Sequence, residues 1–357
     1  MRKFLFLVCI SICSWGFTSF NKNDRAIILR DEKLSFTPKE FYITGIIDGR
    51  ANRGPVASLL TANTIVPTDL RGGAAAGIKQ FVERNLHRDT KLRPVIITIK
   101  DFKLTESAAQ GGRVNGHLTM DFSFELQRNY DTVHLMNYRG GIRYDRPAQQ
   151  SDAAEPALRH GIEEALSAFN SWMDDQADKN MLLAKSVKVK FIDHAEKTEG
   201  DTIYYSVNRP LRWSDFRELT GTSRFEAEVF TSIGYAEQMD VVKGVVNLTI
   251  DLKVDLPKND CRVKAGGRTD YTLNHEQRHF DIEKIAGEHF KQKILALHLP
   301  VDNFDGPINV EYLEALREAT RLQKQYDSET RHGMDEQAQA RWNEKIDKEL
   351  KDLGVKK

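Results

Sequence analysis

The chain has 357 residues, which suits two ordinary domains, and 40% of them are hydrophobic, enough to build globular cores. Its 52 basic residues balance 52 acidic ones, so the composition gives no sign of nucleic-acid binding or of an electrostatic membrane anchor.

The first twenty residues are typical of a signal peptide. Arg2 and Lys3 give a positive start, and the apolar run Phe4–Cys13 is too short for a good transmembrane helix. Small residues follow and predict cleavage within Ser14–Phe20. Lipid attachment at Cys13 is the alternative, although no small residue stands just before this cysteine. We therefore expect an exported protein, periplasmic or secreted, with no transmembrane helix in the mature chain.

Residues 24–195 are predicted to form a first α+β domain. Its expected elements, in order, are a strand over 40–48, a helix over 70–86, strands over 95–104, 112–126 and 133–144, and a helix over 153–173. This order favours a small sheet covered on one face by two helices. The domain contains no catalytic constellation, so a binding or docking role is the hypothesis for it.

A polar, turn-rich stretch over 195–202 predicts the domain boundary, and a second domain is expected over 203–357. It begins with a predicted strand over 203–207. A short helix capped by Ser214 or Asp215 follows, and then a strand over 225–235.

The clearest strand pattern in the chain covers Val246–Leu256. Apolar and polar residues alternate over all eleven positions, which indicates a strand with one buried and one wet face. Because the strand comes shortly before the motif described next, we predict that it borders the active cleft and pairs with an extended peptide substrate.

The second domain contains the sequence His-Glu-x-x-His at 275–279. On a helix, His275 and His279 lie on one face, one turn apart, so both imidazoles can hold one ion. Glu276 lies about 100° further round, beside such an ion, where it can act as a general base. This is the metalloprotease pattern, and zinc is its usual metal. An apolar face over the following residues, from Phe280 to Leu297, indicates that the helix is buried on one side.

Three segments of the second domain resemble an uncharacterised bacterial family of predicted secreted zinc-dependent proteases, known as a domain of unknown function. They are Leu-Arg-Trp-Ser-Asp-Phe at 211–216, Leu-Asn-His-Glu-Gln-Arg-His-Phe-Asp-Ile at 273–282, and Tyr-Asp-Ser-Glu-Thr-Arg-His-Gly at 326–333. The resemblance covers about residues 203–345 and leaves the first domain outside. It implies a zincin-like metal site and export.

The third metal ligand is predicted to be His332. Ile282 and Ile285 occupy the positions where a metzincin has glycine and histidine, which excludes that arrangement. His332 ends a predicted helix over 310–325 that can run back antiparallel to the first, and the family-like pattern at 326–333 adds to its case. A glutamate on that helix is the alternative, and the candidates are Glu311, Glu314 and Glu318.

The sequence thus predicts an α+β protein whose C-terminal zincin-like domain is a zinc metallopeptidase acting on a peptide or protein substrate. Zn²⁺ would be held by His275, His279 and His332, with Glu276 as the base. Tyr326 or a backbone N–H would help to stabilise the oxyanion. The alternative is a non-catalytic envelope protein that uses a degenerate zincin domain for binding.

Overall fold

The computed structural model describes residues 26–129, 131–150, 152–219 and 225–356. The predicted signal peptide and Cys13 lie outside these residues. Among the described residues, no helix combines the length and the apolar character needed to cross a membrane. The fold is mixed α+β with several sheets, which confirms the predicted class. The chain divides into two compact units between Asp174 and Asp175.

The first unit contains one six-stranded sheet in the order β3-β2-β4-β5-β6, with β1 paired in parallel to β4. The bounds are β1 Phe41–Asp48, β2 Ala57–Thr61, β3 Thr64–Thr68, α1 Ala74–Asn85, β4 Arg93–Ala109, β5 Arg113–Gln127, β6 Thr132–Pro147 and α2 Ala154–Gln176. The strands and helices predicted from the sequence are all present. The hairpin of β2 and β3 was not predicted, and its turn residues Ala62 and Asn63 both have positive φ, as tight hairpins require.

Aromatic stacking joins α2 to the sheet of the first unit. The ring of Phe169 stacks on Phe124 at 4.1 Å and meets Phe41 edge-on at 4.7 Å. A Cβ at Gly161 would lie 2.5 Å from the Met120 sulfur, so glycine lets α2 approach β5 this closely without moving the Met120 side chain. The predicted packing of an amphipathic helix on the sheet is therefore confirmed for α2.

The second unit has a four-stranded sheet, a small three-stranded sheet and three long helices. Its elements are β7 Ser186–Asp193, β8 Thr202–Tyr204, β9 Arg217–Glu218, β10 Ala227–Glu228, β11 Ser232–Val242, β12 Val245–Pro257, β13 Arg262–Val263, α3 Asp270–Ala296, α4 Asp305–Thr330 and α5 Glu336–Asp352. Because β7 pairs in parallel with β12, this unit begins about twenty residues before the boundary expected from the polar stretch at 195–202.

Strand β12 shows the predicted alternation, since every second residue from Val246 to Leu256 is buried. Its expected position at a sheet edge is wrong. It pairs with β11 over Val245–Asp255 on one side and with β7 and β8 on the other. Its backbone groups are therefore already paired, and β12 cannot add a peptide strand.

Helix α3 packs closely on this sheet. A Cβ at Gly287 would lie 3.1 Å from Val254 Cγ2, so the glycine that lowers helix propensity also permits the close approach. The side chain of Thr269 caps the helix by accepting from the Thr272 N–H at 3.1 Å, which places the His-Glu-x-x-His motif in the first turns.

Helices α4 and α5 pack on α3. Contacts pair His275 with Tyr326 and His289 with Glu318, so α4 runs antiparallel to α3 as predicted. Between the three helices lies an apolar cluster of Ile282, Ile285, Leu322, Tyr326, Trp342, Ile346 and Leu350. Trp342, Ile346 and Leu350, which lie four residues apart, thus form the packed face of α5.

Candidate metal centre

Helices α3 and α4 bring three potential ligand atoms together. The rings of His275 and His279 lie perpendicular, with centroids 4.9 Å apart. Their Nε2 atoms lie 3.5 and 3.2 Å from Oδ1 of Asp327 on α4. Ligand atoms of these three residues all lie within 4.8 Å of one another, the one such group of His, Cys, Asp and Glu among the described residues.

The position of Asp327 follows from the face that α4 turns toward α3. Tyr326, Asp327 and Thr330 come three, four and seven residues after Gln323, so the four residues share this face. Tyr326 and Thr330 are fully buried, whereas the Asp327 side chain remains about one third exposed. Solvent therefore reaches the three potential ligands past the Asp327 side chain.

The proton position on His279 is determined by Gln323. The amide nitrogen of Gln323 donates to the backbone carbonyl of His279 at 2.8 Å, to Glu283 Oε2 at 3.0 Å and to Thr231 Oγ1 at 3.3 Å. Its amide oxygen must then face Nδ1 of His279, with which it forms a hydrogen bond. Nδ1 is consequently the protonated nitrogen, and in the neutral ring Nε2 carries a free lone pair.

His275 is held in the same way by α4 and α5. Its Nδ1 lies 2.9 Å from the Gln339 amide oxygen and 2.9 Å from the Tyr326 hydroxyl. The Gln339 amide nitrogen donates to Asn343 Oδ1 at 3.0 Å, which fixes the orientation of the amide. His275 Nε2 is therefore a lone-pair nitrogen as well. Such outer partners orient metal-binding histidines in many proteins.

When both imidazoles are neutral, two lone pairs and a carboxylate oxygen thus converge with no proton between them. Asp327 Oδ1 is buried and accepts no hydrogen bond from the described residues. Burial by itself raises the pKa of Asp327, but His275 and His279, when protonated, lower it by more, and the net pKa lies below its usual range. Acceptor groups facing one another in this way fit a bound cation, so these residues satisfy the requirements of a metal site.

Glu276 lies beside this group on the next position of α3. Its side chain is only 3% exposed, and no hydrogen bond or ion pair joins it to another described residue. Burial raises the pKa of Glu276, the two histidines oppose this rise, and the charges of Asp327 and Glu228 add to it. A buried carboxylate without a structural partner next to a metal-binding group is suited to proton transfer.

His332 lies next to the ligand group but is not part of it. Its Nδ1 is 3.4 Å from Asp327 Oδ1, its ring packs on Phe225 at 4.5 Å, and its side chain is 40% exposed. The structure therefore brings Asp327, rather than the predicted His332, into the position of a third ligand. Helix α4 ends at Thr330, and three residues with positive φ, Arg331 to Gly333, carry His332 past the carboxylate.

The alternative ligands on α4 lie elsewhere. Glu318 accepts a hydrogen bond from His289 at 2.9 Å, Glu314 pairs with Arg317, and Glu311 lies 3.8 Å from Lys293. These contacts are those of an ordinary polar helix surface.

Tyr326 is placed behind the site rather than at its opening. Its ring stacks on His275 at 4.8 Å, it is fully buried, and its hydroxyl meets Nδ1, the nitrogen that faces away from Asp327. Burial raises the pKa of Tyr326. The predicted oxyanion role does not fit this placement, because a group there cannot touch a substrate at Nε2. Orientation of His275 fits it.

The remaining polar residues of the extended motif make structural contacts. The Gln277 side chain accepts from the Leu211 N–H at 2.8 Å, which ties the Leu-Arg-Trp-Ser-Asp-Phe segment to α3. Asp281 is 1% exposed and accepts from the Tyr205 hydroxyl at 2.9 Å and from Arg278 at 2.9 Å. These residues build the scaffold, whereas Gln323 and Gln339 gave no signal in the sequence that distinguishes them from surface glutamines.

No family model matches the chain, and no curated protein matches it. Among solved structures, a Xanthomonas campestris protein assigned to the family DUF330 aligns with 43% of this chain and 98% of its own length, at 14% identity and a TM-score of 0.28. A second structure, of an uncharacterized protein, aligns with 41% of this chain and 98% of its own, at 10% identity and a TM-score of 0.23. These descriptions state no activity for either protein, and TM-scores this low support no conclusion about this chain.

We expect Gln323→Leu to weaken zinc binding about 10- to 100-fold, the usual cost of losing an outer partner of a metal-binding histidine. Leucine keeps most of the volume but leaves His279 Nδ1 without its acceptor. Competition with a chromophoric chelator measures the affinity. Gln325→Leu is the matched control, because Gln325 lies on the same helix and its hydrogen bonds to described residues, with Arg321 and Glu329, stay on the exposed surface of that helix. Equal losses in both variants would contradict the orienting role.

Proposed function

We propose that the second unit is a zinc-dependent peptidase domain with a zincin-like site, in which His275, His279 and Asp327 hold the metal. The observation that carries this proposal is the convergence of two lone-pair nitrogens and an unbonded buried carboxylate oxygen beside the partnerless Glu276. Three protein ligands of nitrogen and oxygen type match catalytic zinc sites, which keep a fourth position open.

Iron is the alternative metal, because two histidines and one carboxylate also hold iron in oxygenases. Oxygenase chemistry requires no adjacent protein base. The buried carboxylate of Glu276 next to the ligands therefore favours zinc and hydrolysis.

Zinc held by these residues would act as a Lewis acid and would lower the pKa of a water molecule to about 7. Glu276 would accept the proton from that water and later donate it to the leaving amine. Gln323 and Gln339 keep both Nε2 atoms directed at the site. His332, exposed beside Asp327, is placed to donate a hydrogen bond to a reacting carbonyl oxygen.

We also propose that the protein is exported, from the positive start and apolar run of the first twenty residues. An exported peptidase would act on peptides or proteins in the envelope or outside the cell.

The test combines metal analysis with a digest by the full chain. We expect about one zinc per chain, cleavage in a randomised quenched-fluorescent peptide library, loss of cleavage with 1,10-phenanthroline, and recovery on adding zinc. Bound zinc without any cleavage would favour the non-catalytic binding protein instead. Absence of metal after zinc reconstitution would overturn both the site and the function.

A further inference from the structure

The second unit also contains a cavity of about 530 Å³, a volume that suits a small molecule. Its wall is formed by the end of β7, the loops on either side of β8, the middle of α3 and the turn that follows α5. Lys284 in this wall follows His275 by nine residues, which is about 180° round an α-helix. Glu288 follows His279 by the same interval. The cavity therefore lies on the opposite face of α3 from the candidate metal centre.

One part of the cavity wall presents hydrogen-bond acceptors. The Nδ1 atom of His194 lies 2.7 Å from Asp251 Oδ2, and because a carboxylate only accepts, Nδ1 carries the proton. In the neutral ring Nε2 is then an acceptor, and it forms no hydrogen bond with a described residue. Glu196 also lines the cavity, is exposed, and has no hydrogen bond or ion pair within the described part of the chain.

Tyr204 indicates the sign of the charge at this part of the wall. Its ring packs on the His194 ring with centroids 4.2 Å apart. Burial raises the pKa of Tyr204, and the negative charges of Glu196 and two aspartates add to the rise. The potential here is thus negative, which favours the ammonium group of a ligand.

The α3 side of the wall presents donors. The buried Nζ of Lys284 lies 2.6 Å from Asp193 Oδ1 and 2.8 Å from Glu288 Oε1, so two carboxylates neutralise it. Lys291 pairs with Glu288 alone, at 3.1 Å, and 28% of its side chain is exposed. Because Lys291 shares this carboxylate with Lys284, it retains N–H groups for a further acceptor, such as the carboxylate of a ligand.

The rest of the wall is either already paired or apolar. Arg209 donates to both carboxylate oxygens of Glu199 and to both of Asp215, so it has little left to offer a ligand. Val207 and Leu353 line the cavity with apolar surface, and the Val207 side chain is 45% exposed. A ligand that fits this wall carries an ammonium group, a carboxylate and an apolar portion.

We propose that this cavity binds a small zwitterion, a free amino acid or a dipeptide with both termini free. Its ammonium group contacts Glu196 and His194 Nε2, and its carboxylate contacts Lys291. A simple anion would meet the unpaired charge of Glu196, and a simple cation would leave Lys291 unused. Binding here does not depend on the metal centre, since the two sites occupy opposite faces of α3.

The first experiment titrates the dipeptide alanyl-leucine by calorimetry into the full-length Glu276→Gln chain after zinc reconstitution, so that hydrolysis does not consume the probe. We expect a Kd below about 1 mM. Acetylating the amine and amidating the carboxylate of the dipeptide should each weaken binding about tenfold or more, since each removes a charge-assisted hydrogen bond. The protein is the same in all titrations, so misfolding cannot cause these losses.

The second experiment repeats the titrations with variants of the wall in the same background. Glu196→Gln and Lys291→Met should each weaken binding of alanyl-leucine about tenfold or more. Acetylation should cost little further in Glu196→Gln, and amidation little further in Lys291→Met, because each pair of changes removes the same contact. Glu237→Gln and Lys293→Met are the matched controls, since Glu237 lies on β11 and Lys293 lies near Glu311, both outside the cavity wall.

Three results would overturn the proposal. The first is no binding of the free dipeptide at about 10 mM. The second is equal affinity for the free dipeptide and either capped form, because one end of the zwitterion would then have no partner. The third is affinity unchanged by both Glu196→Gln and Lys291→Met, which would place the dipeptide at another site, the metal centre included. Losses that follow the capped ends and the two wall variants together would support it.

Discussion

Glu276→Gln is expected to lower kcat for peptide hydrolysis about 10²- to 10⁴-fold while the metal stays bound, the range typical for loss of a general base. Glutamine has nearly the same volume, so the buried position remains filled, but it cannot accept the proton. Glu276 forms no hydrogen bond or ion pair with another described residue, and the substitution therefore breaks no polar contact. Metal content and steady-state kinetics on the same preparation measure both effects.

Glu318→Gln is the matched control, because Glu318 lies on α4 and contacts His289 rather than the ligand group. Its kcat should remain near that of the wild type. Wild-type turnover in Glu276→Gln would show that another residue is the base. Loss of the metal along with activity would show that Glu276 is itself a ligand.

Local patterns allowed much of the second unit to be predicted. The spacing of His275 and His279 and the apolar face after them depend only on helix geometry, and α3 has both. The alternation in β12 likewise reports one buried face. It says nothing about the two edges of the strand, since side chains alternate in the same way in central and outer strands. The alternation therefore could not predict the pairing of β12 with β7. For the same reason it could not predict where the second unit starts.

The third ligand shows a similar limit. The segment Tyr-Asp-Ser-Glu-Thr-Arg-His-Gly was predicted to supply His332 as the third ligand. The structure brings Asp327 to that position instead, because helical spacing puts Asp327 on the face toward α3. His332 lies beyond the helix end, where positive φ at Arg331, His332 and Gly333 turns the chain. The ligands considered from the sequence were His332 and the glutamates at 311, 314 and 318, so Asp327 was not predicted.

Gly333 shows why this turn is part of the site. A Cβ at this position would lie 3.3 Å from Cγ and Nδ1 of His275, and its φ of 79° suits glycine. The Tyr271 hydroxyl donates to the Gly333 carbonyl at 2.6 Å, which ties the turn back to α3. The turn therefore packs on one ligand while presenting His332 next to another.

Asp327→Ala is expected to weaken zinc binding by more than about 100-fold, beyond the cost of losing an outer hydrogen-bonding partner. The substitution removes the one carboxylate that faces both Nε2 atoms. His332→Ala should change zinc affinity less than about tenfold, since only its contact with Asp327 links it to the ligand group. Chelator competition gives the affinities, and the zinc-dependent rise in Tm gives an independent measure.

Asp327→Asn separates charge from shape in this comparison. The amide has the same size, yet it carries no negative charge, so its zinc affinity should fall between those of the wild type and Asp327→Ala. Glu314→Ala on the exposed side of α4 serves as the control and should bind zinc like the wild type. The opposite order, with His332→Ala losing zinc and Asp327→Ala retaining it, would make His332 the ligand. Asp327 would then orient the His332 imidazole. The tautomers that Gln323 and Gln339 set for His279 and His275 would in that case belong to a site with three histidine ligands.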